Sequence, residues 1–208
     1  MKTRLLSISL LIALFFIIYT APSYSQFKMG LEAGVSSSTF HEPDKSPLAD
    51  ISSISGLTIG GILNYEITNF LSVQIEPRYT EKGETINKDT SLSQGFHLGY
   101  LELPISVVAG INIKNFYPFL SIGINYGYLV SAVYDDLITN NEYDVKSIFK
   151  KNDVAADFGI GLKYSVDPKS TLMFQTRYSY GIANISNQAN STINTRSLQF
   201  IFGFLFSL

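Results

Sequence analysis

Charged side chains recur at the polar positions of several alternating segments, and these residues are best placed to do chemistry. The set comprises Glu76, Arg78, Glu102, Asp157, Lys163 and Arg177. Charges removed from water must pair, so the plainest interpretation is a structural network of ion pairs and hydrogen bonds. A proton or ion path, or the floor of a ligand site, would use the same residue types. We expect the structural network, with Asp157 opposite Arg177 on neighbouring strands and paired with it.

Residues suited to catalysis are sparse. The chain has two histidines, His41 and His97, and no cysteine. A nucleophilic enzyme needs a hydroxyl or thiol beside its base. The hydroxyls nearest to His97 in the sequence fall in a polar loop: Thr90, Ser91 and Ser93. The loop carboxylates lack the spacing of a calcium-binding loop. We therefore expect no enzyme, no catalytic residue, no cofactor and no metal site.

The charges lie on segments in which apolar and polar side chains alternate. A period of two belongs to a β-strand and not to a helix. Eight segments follow it: Phe27–Val35, Leu57–Glu66, Leu71–Thr80, Leu98–Val108, Phe119–Val130, Val154–Ser165, Thr171–Gly181 and Arg196–Leu208. In the last of these, Leu or Phe occupies every second position from Leu198 to Leu208, which gives one strongly apolar face.

No charge in these segments falls on the apolar face. Lipid enforces such a partition, because a lipid-facing Lys or Arg at mid-depth costs roughly 2–4 kcal/mol. The opposite face carries small residues, as a narrow barrel interior requires: Gly60, Gly123, Gly127, Gly159 and Gly161. The sequence therefore predicts an all-β fold, an eight-stranded antiparallel up-and-down transmembrane β-barrel with a lumen filled by side chains.

The N-terminal segment predicts export. Lys2 and Arg4 precede an apolar run from Leu5 to Tyr19, and Ser23 and Ser25 are small residues suited to cleavage before residue 26. We expect a signal peptide over residues 1–25 and an outer-membrane β-barrel domain over residues 26–208. An uncleaved membrane anchor is the alternative.

The connections between the segments alternate in length, as in outer-membrane barrels with long external loops and short periplasmic turns. Long connections are predicted near Ser36–Ser53, Glu81–Gly95, Ser131–Asp153 and Ala183–Arg196. Short connections are predicted near Thr68–Asn69, Ala109–Asn115 and Val166–Lys169. His41 then falls in the first long loop, and both chain ends fall on the periplasmic side.

Two prolines interrupt the strand pattern. Pro77 and Pro104 each lack the N–H that a strand ladder uses, and an unpaired carbonyl in lipid is expensive. We expect a bulge, or an inward carbonyl satisfied by water, at each proline.

Three motifs carry a resemblance to a known family: the stretch Tyr100–Ile105, reading YLELPI, the stretch Arg177–Gly181, reading RYSYG, and the stretch MGLEAGVSSS in the first segment. Together they resemble the PorT-like family of small bacterial outer-membrane β-barrels. The resemblance covers residues 26–208 and implies an eight-stranded barrel in which Pro104 is a usual feature. One branch of that family assists protein secretion, and nothing in this sequence selects that branch.

We therefore expect a small integral barrel of the bacterial outer membrane with a structural or interaction role and long polar loops facing outside. The alternatives are a narrow pore or an accessory to transport or protein secretion and, more remotely, a lipid-modifying enzyme. The expected partners are outer-membrane lipid, periplasmic chaperones, the barrel-assembly machinery and an unidentified extracellular or envelope protein. The formal net charge of −2 offers no basic surface to nucleic acid.

Overall fold

The computed structural model describes residues 26–42, 51–86, 94–136, 141–189 and 191–207. The predicted signal peptide and Leu208 lie outside these ranges. The strands are β1 Phe27–His41, β2 Ile51–Glu66, β3 Leu71–Ile75, β4 Arg78–Ile86, β5 Gln94–Gly110, β6 Phe116–Asp136, β7 Asn141–Asp144, β8 Asn152–Ser165, β9 Ser170–Gly181 and β10 Asn194–Ser207. One short 3-10 helix covers Lys146–Ile148. Within the described ranges, no helix has the length and apolar character to cross a membrane.

The strands close into one antiparallel ring. β1 pairs with β2 on one side and with β10 on the other, so the first and last strands seal the barrel. β3 and β4 share one position between β2 and β5, and β6, β8 and β9 complete the ring. The predicted eight-stranded barrel is confirmed, because β3 and β4 form one interrupted strand. β7 pairs with β6 outside this ring.

The two faces of the strands follow the predicted alternation. On β6, Leu120, Ile122 and Ile124 are 58–63% exposed, whereas Ser121 and Asn125 at the alternate positions are buried. Tyr126 and Tyr128 remain exposed towards one end of that strand, and Phe116 and Tyr164 stack at the other end, with ring centroids 5.0 Å apart. The outward face of β6 is therefore apolar, as a barrel in lipid requires, and polar side chains of the same strand point inwards.

The ends of the barrel differ in the length of their connections. Residues 67–70, 111–115 and 166–169 make short turns at one end, which we call the turn end. The opposite end, here the loop end, carries the long connections. In the turn at 166–169, the backbone N–H groups of Lys169 and Ser170 donate to the Asp167 carboxylate at 2.7 and 2.9 Å. These bonds hold the pKa of Asp167 below its ordinary value.

Several strands extend further towards the loop end than the sequence predicts. β1 continues through residues 36–41, β4 through residues 81–86 and β6 through residues 131–136. His41 accordingly ends β1 and does not lie in a loop. The predicted boundaries were too short because the apolar–polar alternation weakens where both faces meet polar surroundings. The backbone ladder continues there, since its N–H and C=O groups still need partners.

The two prolines lie on neighbouring strands, and of the two alternatives expected for them the bulge was wrong. Glu76 and Pro77 separate β3 from β4, yet the register against β5 is the same on both sides, with Ile75 opposite Ile105 and Arg78 opposite Glu102. The Glu76 N–H donates to the Pro104 carbonyl at 3.1 Å, and the Gly61 N–H donates to the Pro77 carbonyl at 2.9 Å. Each proline therefore keeps a protein N–H as the partner of its own carbonyl, and the register continues past it.

Apolar side chains fill the lumen in two separate clusters. The turn-end cluster consists of Ile62, Val108, Phe119, Met173, Ile201 and Leu205, with Tyr117 packed against it. The loop-end cluster consists of Phe40, Leu98, Tyr100, Leu129, Ala132, Phe149 and Ile185. Phe149 and Ile185 come from the long connections, which therefore fold back over the lumen. Polar and charged side chains occupy the space between the clusters.

We predict that Gly30 tolerates no side chain. A Cβ at Gly30 would overlap the Phe204 carbonyl oxygen of β10, whereas a Cβ at Gly61 on β2 would meet nothing nearer than 3.7 Å. We expect Gly30→Ala to lower the free energy of unfolding by about 1–3 kcal/mol, the usual cost of overpacking, and Gly61→Ala to change it by less than about 1 kcal/mol. Equilibrium urea unfolding in lipid vesicles measures both, and equal effects would contradict the packing at the β1–β10 seam.

Candidate functional site

Eight of the buried charged residues in the described chain lie together in the middle of the lumen. They form what we call the interior ion network: Glu32, Glu76, Arg78, Lys82, Glu102, Asp153, Asp157 and Arg177. They come from β1, β4, β5, β8, β9 and the interruption between β3 and β4. Each lies at an inward position because its strand places alternate side chains on one face. The network occupies the polar layer between the two apolar clusters.

Glu102 is the centre of the loop-end half of the network. It accepts a hydrogen bond from Arg78 Nε at 3.0 Å, lies 2.9 Å from Arg78 Nη2, and contacts Lys82 Nζ at 2.7 Å. Lys82 reaches on to Asp153 at 3.3 Å, and the Thr195 hydroxyl donates to the same carboxylate at 2.9 Å. Two buried cations thus share two buried carboxylates, an arrangement that compensates their loss of hydration.

Arg177 is the centre of the turn-end half. Its Nη2 donates to Glu76 and also to Gln175 Oε1 at 3.1 Å, and its Nη1 lies 3.7 Å from Asp157 Oδ2. Gln74 donates a further bond to Glu76 at 2.7 Å. The expected Asp157–Arg177 contact is present, but the expected register was wrong. Arg177 lies opposite Gly159 and Asp157 lies opposite Ser179, so the pair is diagonal across β8 and β9.

Glu32 is poorly compensated within the network. It is 2% exposed, and neither of its carboxylate oxygens has a hydrogen-bond partner. Its nearest cation, Arg78 Nη1, is 3.9 Å away, while the same guanidinium is engaged with Glu102. Among the eight residues, five carboxylates share three cations, so the network carries an excess of potential negative charge at Glu32.

We predict that Glu32→Gln changes the free energy of unfolding by less than about 1 kcal/mol or raises it, because the amide removes an under-compensated buried charge without a loss of volume. The matched change Glu102→Gln leaves Arg78 and Lys82 without their shared carboxylate. It should lower the free energy of unfolding by about 3–5 kcal/mol. Urea unfolding in lipid vesicles compares the two. A larger loss for Glu32→Gln than for Glu102→Gln would contradict the contacts described above.

The interior ion network contains most, but not all, of the site residues predicted from the sequence. Glu76, Arg78, Glu102, Asp157 and Arg177 lie together, but Lys163 lies apart near the turn end, with its ammonium 5.4 Å from the centre of the Phe119 ring. The sequence set omitted three members of the network. Glu32 stood on the polar face of the first segment, whereas Lys82 and Asp153 were assigned to loops because the strand ends were drawn too short.

The two histidines lie at the loop end of the barrel. His97 Nε2 is 3.5 Å from Asp135 Oδ2 across the β5–β6 ladder, and its side chain is half exposed. His41 ends β1. The hydroxyl residues that the sequence places near His97, Thr90, Ser91 and Ser93, lie outside the described residues. Within the described part of the chain, no group of three or more metal-ligating side chains is assembled.

A pocket of about 200 Å³ opens at the loop end, above the loop-end cluster. Three aromatic rings line it, from Phe40, Phe96 and Phe149, and the Phe96 and Phe149 ring centres are 6.3 Å apart. Ser186 and Gln188 from the connection between β9 and β10 add polar groups. This loop-end pocket therefore combines an aromatic floor with a polar rim, the usual composition of a ligand or partner site.

The comparisons with known proteins agree with this architecture. Residues 20–187 match the family described as outer membrane protein beta-barrel domain. The crystal structure of Neisserial surface protein A is similar at a TM-score of 0.54 and 16% identity, covering 88% of this chain and 97% of that one. The solution structure of Outer Membrane Protein W of E. coli is similar at a TM-score of 0.48 and 15% identity, covering 88% and 97%. No curated protein sequence matches the chain. These likenesses concern the fold alone.

Proposed function

Because this chain belongs to the outer membrane protein beta-barrel domain family, we propose that it is a barrel of the bacterial outer membrane with a structural or interaction role. The barrel acts as a closed wall that presents its loop end outside the cell. Its lumen carries no solute. The long connections supply the surface on which an extracellular or envelope partner docks.

The observation that carries this proposal is the three-layered lumen. The turn-end cluster, the interior ion network and the loop-end cluster follow one another along the barrel axis, and each consists of buried side chains. An eight-stranded barrel is just wide enough for side chains to fill it. An ion crossing the lumen from either end would have to pass an apolar layer, where its dehydration is costly.

Single-channel recording in planar bilayers tests the closed lumen. We expect no reproducible conductance from protein whose folded state has been verified by its shifted gel migration before boiling, while a general-diffusion porin in the same bilayers serves as the conducting control. Reproducible conductance steps would defeat the proposal. They would favour the alternative, a narrow pore or an accessory to outer-membrane transport or secretion.

The interaction role is supported by the loop-end pocket and by the aromatic side chains around it. Photo-crosslinking in intact cells tests this role. A photoreactive residue at Gln188, on the rim of the pocket, should give a discrete crosslinked species, whereas one at Asn112, in a turn-end connection, serves as the matched control. Identical patterns from the two positions, or monomer alone at Gln188, would count against a partner at the loop end.

The proposal assigns no catalytic role to the chain. A lipid-modifying enzyme needs a nucleophile beside its base near the rim, and the contact of His97 is with Asp135 on the neighbouring strand. Replacing His97 by Gln should therefore leave the lipid composition of the outer membrane unchanged, as mass spectrometry of extracted lipid would measure. A changed composition would revive the enzyme alternative.

A further inference from the structure

The buried lysine at the turn end has no counter-charge in contact. Lys163 is 6% exposed, and among the described residues no carboxylate lies within ion-pair distance of its ammonium. The Phe119 ring covers one side, with its centre 5.4 Å from Nζ. The ring can face only one of the three N–H donors of the ammonium group. A buried charge without a partner lowers stability. The contacts of this lysine are therefore incomplete.

A polar cavity adjoins Lys163 and opens at the turn end. Its volume is about 110 Å³, and its lining includes Lys28, Glu66, Ser72 and Thr171. A water needs roughly 10–15 Å³ of such space, so a ligand of a few heavy atoms fits together with water. Tyr117, which packs against the turn-end cluster, lines the space, so the cluster bounds the space on its inner side and the ligand would enter from the turn end.

The charge balance of this cavity is positive. Lys28 is paired with Glu66 at 2.6 Å, and both side chains retain contact with solvent. Lys163 then remains as the second cation, buried more deeply and unmatched. The hydroxyls of Ser72 and Thr171 add donors, and Ser72 already accepts from the Asn64 amide at 2.9 Å. Cations and hydroxyl donors converging on one small space are the groups that bind oxyanions.

We propose that Lys163 and Lys28 form a binding site for a small oxyanion, a carboxylate or phosphate, in the turn-end mouth of the lumen. The ligand bridges the two ammonium groups, and the hydroxyls of Ser72 and Thr171 donate to its remaining oxygens. The site is separate from the interior ion network, from which the turn-end cluster divides it. It does not depend on whether the lumen conducts.

Isothermal titration calorimetry on the folded full barrel in micelles of an uncharged detergent tests the site, with sodium phosphate and sodium acetate as probes at constant ionic strength. We expect saturable binding of at least one probe, reduced tenfold or more by Lys163→Met and roughly threefold to tenfold by Lys28→Met. Lys150→Met, an exposed lysine of a loop-end connection, is the matched control and should bind like the wild type.

Several outcomes would overturn the proposal. One is the absence of saturable heat with both anions on wild-type protein, which requires no variant to fold. Another is equal affinity of the wild type and Lys163→Met. If Lys163→Met fails to fold, the anion affinities of Thr171→Val and Lys28→Met test the site instead. Wild-type affinity in both of these variants would contradict the proposal. Binding of vesicles of anionic phospholipid without any binding of free phosphate or acetate would also overturn it, because the proposed site holds a free anion in the turn-end mouth of the lumen.

Discussion

Replacing Arg177 by methionine should lower the free energy of unfolding of the barrel by about 3–5 kcal/mol. Arg177 is fully buried and contacts two carboxylates, Glu76 and Asp157. Methionine keeps much of the volume but leaves both carboxylates in the lumen without their shared cation. Removal of one partner from a buried ion pair costs more than the pair contributes, because the remaining charge keeps its desolvation penalty.

The measurement is equilibrium unfolding in urea with the protein folded in lipid vesicles, and the matched control is Arg196→Met. Arg196 lies 3.6 Å from the centre of the Tyr180 ring at the loop end and donates to the Gly181 carbonyl, and among the described residues no carboxylate forms an ion pair with it. Its replacement should cost about 1 kcal/mol or less. Equal losses for the two arginines would contradict the central position of Arg177 in the interior ion network.

A second variant at the same place separates charge from packing. The double change Arg177→Met with Glu76→Gln removes the cation and one of its carboxylates together, so it should recover part of the loss. Contacting residues of one network usually show interaction energies of about 0.5–3 kcal/mol. Strict additivity of the two single changes would mean that the loss at Arg177 comes from packing alone.

A lysine placed on the outer face of the barrel, midway between its two ends, should lower the free energy of unfolding by about 2–4 kcal/mol. Ile122 is suited to this test, because it is 58% exposed and lies midway on β6 between Phe116 at the turn end and Tyr128 near the loop end. Ile122→Lys would bring an ammonium group to the centre of the bilayer, where neither water nor a carboxylate can compensate its charge.

Phe116→Lys is the matched control for depth. Phe116 is also exposed, but it lies where β6 begins, beside Tyr164. The ammonium of a lysine at this position would reach the membrane interface, so the variant should lose only about 0–1 kcal/mol of the free energy of unfolding. Unfolding in vesicles measures both variants. If Ile122→Lys were as stable as Phe116→Lys, the outer face at that height would be in contact with water, and the lipid assignment of the barrel surface would fail.

The alternation of side chains was enough to predict the barrel. A period of two is a local property of each strand, and lipid on one side penalises every charge placed there, so the pattern can be read without knowledge of neighbouring strands. Leu120, Ile122 and Ile124 face outwards as predicted, and so do Phe200 and Phe202 on the closing strand. The pairing of β1 with β10 follows, because an eight-stranded sheet in lipid must close.

At the strand ends and at the two prolines, the apolar–polar alternation along the sequence no longer predicts the structure correctly. Lys82 and Asp153 lie where the alternation weakens, and the sequence assigned them to loops, although the backbone ladder carries them into the lumen. Pro77 and Pro104 each break a local rule. The register continues past both, because Pro77 belongs to the interruption between β3 and β4 and Pro104 lies opposite that interruption on β5, where the Glu76 N–H donates to the Pro104 carbonyl.

By itself, the sequence determined the fold class and, within the segments that it identified as strands, the direction in which the side chains point and the charges that face the lumen. Tertiary structure alone decided which charges meet. Asp157 and Arg177 pair diagonally because the stagger of β8 against β9 differs from the expected register. Lys163 shares their inward direction but lies at another height, so it faces a separate cavity. The physical reason is that direction is fixed residue by residue within a strand, whereas height depends on the shear of the closed barrel, to which all strands contribute.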